Sequence, residues 1–277
     1  MYNSMSGDVQ ISHDVFQVTP TNEEFVVIAD LHIPHLAHEL LDYVVNRHAS
    51  QNTICVIAGD VLDNIEFSKF ASESGDKLLV IENFLQASEI VKYLSTQFKE
   101  VYILDGNHDK RFKKDVIEKL PPVKHFLPNS LNELLAMEIV IEDGKIRPLG
   151  KLENVHYVPQ RYLKLGNVVI THPTTNSRVP GAAARKLIES LIAHKIDFDI
   201  AIFGHTHKQN RIKHLGRIGI ETGCLTYYNE YIRFRNPADT GATQGYVYGY
   251  FDDGFCYEPG VFDFSLFASR GGVLYEA

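Results

Sequence analysis

Five short apolar runs punctuate the chain, and each stops at a polar cluster: FVVIAD (25–30), TICVIAGD (53–60), VYILDGNHD (101–109), NVVITH (167–172) and DIAIFGHTH (199–207). They are rich in Val and Ile and continuous rather than alternating, as expected of strands covered on both faces. Between them the period changes. Val80, Phe84, Ala87, Val91, Leu94 and Phe98 recur every three or four residues and predict one apolar face of a long helix. Ala184, Leu187, Ile188, Leu191 and Ile192 predict a second helix. Pro34 is placed to open a third, running through Leu36, Leu40 and Leu41. Strands alternating with helices make an α/β protein. After residue 210, RIGIETGCL (217–225) and GYVYGYFDDGF (245–255) predict antiparallel strands with Gly-containing turns, and 228–244 predicts a polar loop. No repeat, low-complexity tract or linker divides the sequence, so 1–277 is expected to form a single domain.

Composition narrows the classes. With 44% hydrophobic and 22% charged residues, the chain can bury a sizeable core. No apolar stretch approaches the roughly 20 residues that span a bilayer, so no membrane partner is expected. The first residues, MYNSMSGDVQISHDVF, have neither a basic start nor an apolar centre, and a cytoplasmic protein is expected. Cys55, Cys224 and Cys256 contain no close pair, which argues against a disulfide framework and against a thiolate zinc site. A net charge of −8 argues against non-specific binding to nucleic acid, although bound metal ions would not enter that sum.

Hydrophobic patterning does not account for how the five runs end. Each finishes in Asp, Asn or His at its C-terminal edge, where ligands bind in open α/β sheets. The clusters are Asp30-Leu-His32, Gly59-Asp60-Val-Leu-Asp63, Gly106-Asn107-His108-Asp109, Thr171-His172 and Gly204-His205-Thr-His207. Alone, Asp-x-His is commonplace, and a strand-end Asp often just accepts backbone N–H bonds. Gly-Asn-His-Asp and Gly-His-x-His are far rarer, and all five in order at strand ends point to a metal site. The other histidines (13, 35, 38, 48, 125, 156, 194 and 214) read as structural or surface residues. Lys110, Arg111, Lys113 and Lys114 read as a solvated helix face, with Arg111 the member that could reach a phosphate.

The order Asp-x-His, Gly-Asp-x-x-Asp, Gly-Asn-His-Asp, His, Gly-His-x-His resembles the calcineurin-like metallophosphoesterase superfamily from Phe25 to about Gly223. The resemblance implies two packed mixed β-sheets flanked by helices, a four-layer αββα sandwich with a two-metal site above the strand ends. It assigns Asp30, His32 and His207 to one metal and Asn107, His172 and His205 to the other, with Asp60 bridging. It also makes His108 a catalytic residue beside the substrate, with Asp63 orienting its imidazole and expected to raise its pKa.

The residue types suit that chemistry. Two divalent ions outweigh the charge of Asp30, Asp60 and a bridging hydroxide, leaving a positive field for a phosphate and for charge developing on its oxygens. The hydroxide exists near neutral pH because metal depresses the pKa of bound water, and it can attack phosphorus in line. Four imidazoles with oxygen ligands favour Mn, Fe or Zn, with Mn²⁺ the first expectation.

Two departures bear on substrate. Asn64 and Asp109 stand where the phosphoprotein phosphatases of the superfamily have Arg and Glu. A phosphodiester, nucleotide or nucleic acid is therefore expected in preference to a phosphoprotein. One alternative is a DNA nuclease of the double-strand-break-repair type, though its long DNA-binding extension and basic surface are not evident. Another is a non-catalytic scaffold such as the retromer subunit of this superfamily, against which stands the presence of all seven ligand positions and His108.

Overall fold

The structure, a computed structural model, describes residues 14–64, 80–114, 128, 130–142, 145–227 and 242–264. Two six-stranded mixed sheets form its frame. The first has the order β14 (Gly260–Asp263), β13 (Gly245–Tyr250), β2 (Glu24–Ile28), β3 (Ser50–Ala58), β4 (Phe98–Leu104) and β7 (Val155–Val158). The second has the order β1 (Val15–Val18), β8 (Tyr162–Leu165), β9 (Val168–Thr171), β10 (Ile200–Phe203), β12 (Arg217–Thr222) and β11 (Gln209–His214). A hairpin of β5 (Met137–Glu142) and β6 (Lys145–Lys151) stands apart. The helices that lie wholly among the described residues are α1 (His38–His48), α2 (Val80–Gln97), α3 (Leu131–Leu135) and α4 (Ala182–Ala193).

The continuous apolar runs are explained by three packed layers of side chains. Val26, Ile28, Cys55, Ile57, Val101 and Ile103 face outward onto α1 and α2, meeting Leu41, Val44, Phe84 and Val91. Their neighbours Phe25, Val27, Ile54, Val56 and Ala58 face the second sheet, against Leu163, Val168, Ile170, Ile200 and Ile202. On its far side that sheet presents Val169, Ala201 and Phe203 to Ala184, Leu187, Ile188 and Leu191 of α4. Alternate residues of one strand thus bury in two different layers, each fully buried Val, Ile or Leu contributing roughly 1.5–3 kcal/mol. The result is the expected helix–sheet–sheet–helix sandwich.

β2, β3, β4 and β7 run parallel, as do β9, β10 and β12, so the chemistry-bearing strand ends gather at common edges. Three expectations need correction. α1 begins at His38 rather than at Pro34, because the preceding backbone is engaged elsewhere: Ala37 N–H donates to the Leu225 carbonyl and His35 N–H to that of His32. Phe98 is not the last turn of α2; it opens β4, where it buries completely in the same apolar layer. β12 is antiparallel to β11 but parallel to β10. Most of the expected loop, 228–241, lies outside the described residues. Cys55, Cys224 and Cys256 are buried and unpaired, and burial pushes the Cys55 thiol up to about 12.

Candidate metal centre

Each sheet delivers its clusters just past a strand end. Asp30 and His32 follow β2, Asp60 and Asp63 follow β3, and Asn107 and His108 follow β4. His172 follows β9, while His205 and His207 follow β10. The chain does not leave these strands in ordinary geometry. Asp30, His32, Asp60, His205 and His207 all have positive φ, between 45° and 86°. Non-glycine residues seldom adopt that region, and such strain gathers at functional sites. The motif glycines are set by close approach. A Cβ on Gly106 would collide with the Asp60 carboxylate, and one on Gly204 would lie 2.8 Å from Asp30 Oδ2.

Two groups of side chains converge. In the first, His32 Nε2 lies 3.0 Å from His207 Nε2 and 3.7 Å from Asp30 Oδ1, which is itself 3.3 Å from His207 Nε2. In the second, Asp60, His172 and His205 bring their donor atoms within 4.8 Å of one another. His205 Nδ1 lies 2.6 Å from Asn107 Oδ1, which brings the asparagine to the same group. Asp60 Oδ2 stands between the groups, 3.3 Å from His172 Nε2 and 3.7 Å from His32 Nε2. The two sheets are tied here as well, because His205 N–H donates to Asp30 Oδ2 at 2.8 Å.

The outer nitrogens are held in the way metal-binding imidazoles usually are. His172 Nδ1 donates to the Ala58 carbonyl at 2.7 Å, which leaves Nε2 as the lone-pair nitrogen. That Nε2 is buried and makes no hydrogen bond of good geometry, though Asp60 is close enough to pair with it electrostatically. His32 Nδ1 faces Asp63 Oδ1 at 3.2 Å, which turns its Nε2 to the centre. Asp63 Oδ1 also lies 2.8 Å from His108 Nδ1, so this one carboxylate orients two imidazoles.

Burial acts on every charge here, and the cluster answers it with opposite charge. Burial pushes the Asp30 carboxyl up, but His207, His32 and His172 overcome this and hold it well below the usual range. Burial likewise works against Asp60, and His172, His108 and His32 keep it ionised. For His172, burial disfavours the cation, yet Asp60 and Asp30 carry its pKa up to about 9. The same burial, with the His172 charge beside it, takes His205 down to about 4. Two buried carboxylates that draw a proton onto a neighbouring imidazole are a donor set that suits a cation.

A family model described as calcineurin-like phosphoesterase matches residues 24–209, about two thirds of the chain. The chain belongs to the calcineurin-like phosphoesterase family. Among solved structures it is similar to vacuolar protein sorting 29 from Cryptosporidium parvum, at 16% identity over 88% of this chain and 99% of that one, with a TM-score of 0.42. It is also similar to an archaeal phosphodiesterase, at 12% identity over 87% and 99% of the two chains, with a TM-score of 0.39. A predicted phosphoesterase from Streptococcus pneumoniae matches at 12% identity over 88% and 98%, with a TM-score of 0.34. At these values none of the three carries its role to this chain. No curated protein matches the sequence.

Three residues of this calcineurin-like phosphoesterase have contacts at the centre that the sequence left unassigned. The Asp109 carboxylate is wholly buried and accepts from Gly106 N–H (2.8 Å) and Leu62 N–H (3.1 Å), stapling the loop after β3 to the loop after β4. Burial, with Asp60 and Asp105 nearby, pushes it up to about 7. Asn64, also at positive φ, turns its amide to the His108 carbonyl at 3.2 Å. Arg111 does not simply face solvent: its Nη2 lies 2.8 Å from His108 Nε2, and its Nη1 donates to the Asp63 carbonyl at 2.9 Å. The i, i+3 spacing from His108 on a helical turn was the available signal. The expected rise in the His108 pKa is reversed. Burial, helped by His32 and Arg111, lowers it despite the Asp63 hydrogen bond.

Proposed function

We propose that this chain is a dinuclear-metal hydrolase that cleaves phosphoesters, phosphodiesters in preference to phosphoproteins. Asp30, His32 and His207 would hold one ion, Asn107, His172 and His205 the other, and Asp60 would serve both. The observation that carries this reading is the position of Asp60 Oδ2 between the two groups, 3.3 Å from the buried Nε2 of His172 and 3.7 Å from that of His32. When bound, two ions of the Mn, Fe or Zn type, Mn²⁺ first, supply Lewis acidity and lower the pKa of water.

The chain's own groups do the rest. Asp63 holds Nδ1 of His108, which leaves Nε2 on the side of Asp60; on this reading Nε2 takes up a proton from solvent and passes it to the departing oxygen. Asn64 is committed to a backbone carbonyl and brings no charge to the substrate, which supports a diester with its single negative charge over a phosphoprotein. Nucleotides, nucleic acid strands and small diesters all present that group.

The test is a panel of phosphodiesters, cyclic nucleotides, DNA and phosphoserine peptides offered to the Mn²⁺-loaded protein. Diester turnover at least equal to monoester turnover is expected. A strong preference for phosphoserine peptides would overturn the diester assignment, and no turnover of any ester would favour a scaffold.

A further inference from the structure

The guanidinium of Arg111 approaches His108 from the helical turn that follows it. Arg111 Nη1 donates to the carbonyl of Asp63, the atom directly before Asn64, at 2.9 Å. Its Nη2 lies 2.8 Å from His108 Nε2, and that nitrogen is 4.0 Å from Asp60 Oδ2 at the heart of the centre. Both partners of Arg111 are therefore neutral acceptors. Among the described residues no carboxylate lies within ion-pair distance of it. A half-buried guanidinium with one nitrogen anchored on a backbone carbonyl and the other beside His108 can receive an anion.

We propose that Arg111 is a substrate-binding residue whose Nη2 passes from His108 Nε2 to a non-bridging oxygen of the substrate phosphate. The anchor on Asp63 limits it to a single oxygen and keeps it beside His108. Its departure from Nε2 leaves that nitrogen free, so phosphate binding and the exposure of His108 are coupled through one guanidinium. The inference rests on the phosphoesterase reading above and names the protein group that grips the phosphate.

The experiment measures inorganic phosphate binding by calorimetry to the Mn²⁺-loaded wild type, Arg111→Ala and Arg111→Lys, with metal content checked for each. Loss of one charge-assisted hydrogen bond should weaken phosphate binding about 10- to 100-fold in Arg111→Ala, with Arg111→Lys between the two. The same variants should lose kcat/KM equally on alkyl and p-nitrophenyl esters, because the phosphoryl oxygen is common to both. Equal phosphate affinity in all three proteins overturns the proposal, as does a loss confined to alkyl esters, which would make Arg111 only a positioning residue for His108. If wild type hydrolyses no ester yet binds phosphate in an Arg111-dependent way, the phosphate site stands and the catalytic reading falls.

Discussion

At the scale of single residues, Asp60 carries the most. It is wholly buried, its Oδ1 accepts from His108 N–H at 2.8 Å, and its Oδ2 faces imidazoles of both groups. Asp60→Asn replaces one acceptor oxygen with a donor and removes the charge that two ions would share. Metal occupancy and turnover should fall together, further than for any other single ligand change. Wild-type occupancy and rate in this variant would show that Asp60 is not shared. His108→Ala should cost about 10²–10⁴ in kcat on alkyl or nucleoside esters and much less on p-nitrophenyl esters, whose phenolate leaves without a proton. An equal loss on both would make His108 an electrostatic group, and a loss of metal would make it a ligand. The seven proposed ligands were legible because a polar residue closing an apolar run has no packing reason to be there. The His108 pKa was not, since its direction depends on burial and on Arg111, neither of which the motif contains.

At the scale of elements, the buried central strands were legible because both their faces are apolar, whereas short edge strands such as β1 and β8 carry little periodicity of their own. The ends of α1 and α2 were misjudged for one reason: Leu36 and Phe98 do belong to the apolar layer, but from a loop and a strand. α1 also carries a pH dependence. His48 closes the helix, its Nε2 3.0 Å from Tyr246 Oη and its ring against Tyr248. A cation at a helix C-terminus is normally favoured. Here burial, with Arg47 beside it, lowers the pKa to about 4. The unfolded chain takes up that proton near 6.5, so the contribution of His48 is complete above that pH and is lost as pH falls towards 4. Between pH 7 and 5 the Tm of the wild type should therefore drop more than that of His48→Gln. Parallel curves would mean that His48 does not titrate with folding.

At the scale of the whole molecule, two sheets contribute unequal shares of one centre. The first brings Asp30, His32, Asp60 and Asn107, and the second brings His172, His205 and His207. Their packing is what makes the centre, which is why β2 and β10 are joined through Asp30 and His205 and β3 and β9 through Ala58 and His172. No described helix is long and apolar enough to cross a membrane. On the proposed reading, bound cations would offset the overall charge of −8 at the centre, so the ions are what must be measured. The direct test is elemental analysis of protein purified without chelator or reloaded with Mn²⁺, read beside its diesterase rate. Metal should approach two equivalents per chain with activity rising to that point, whereas full activity at a ceiling of one equivalent would contradict the dinuclear centre.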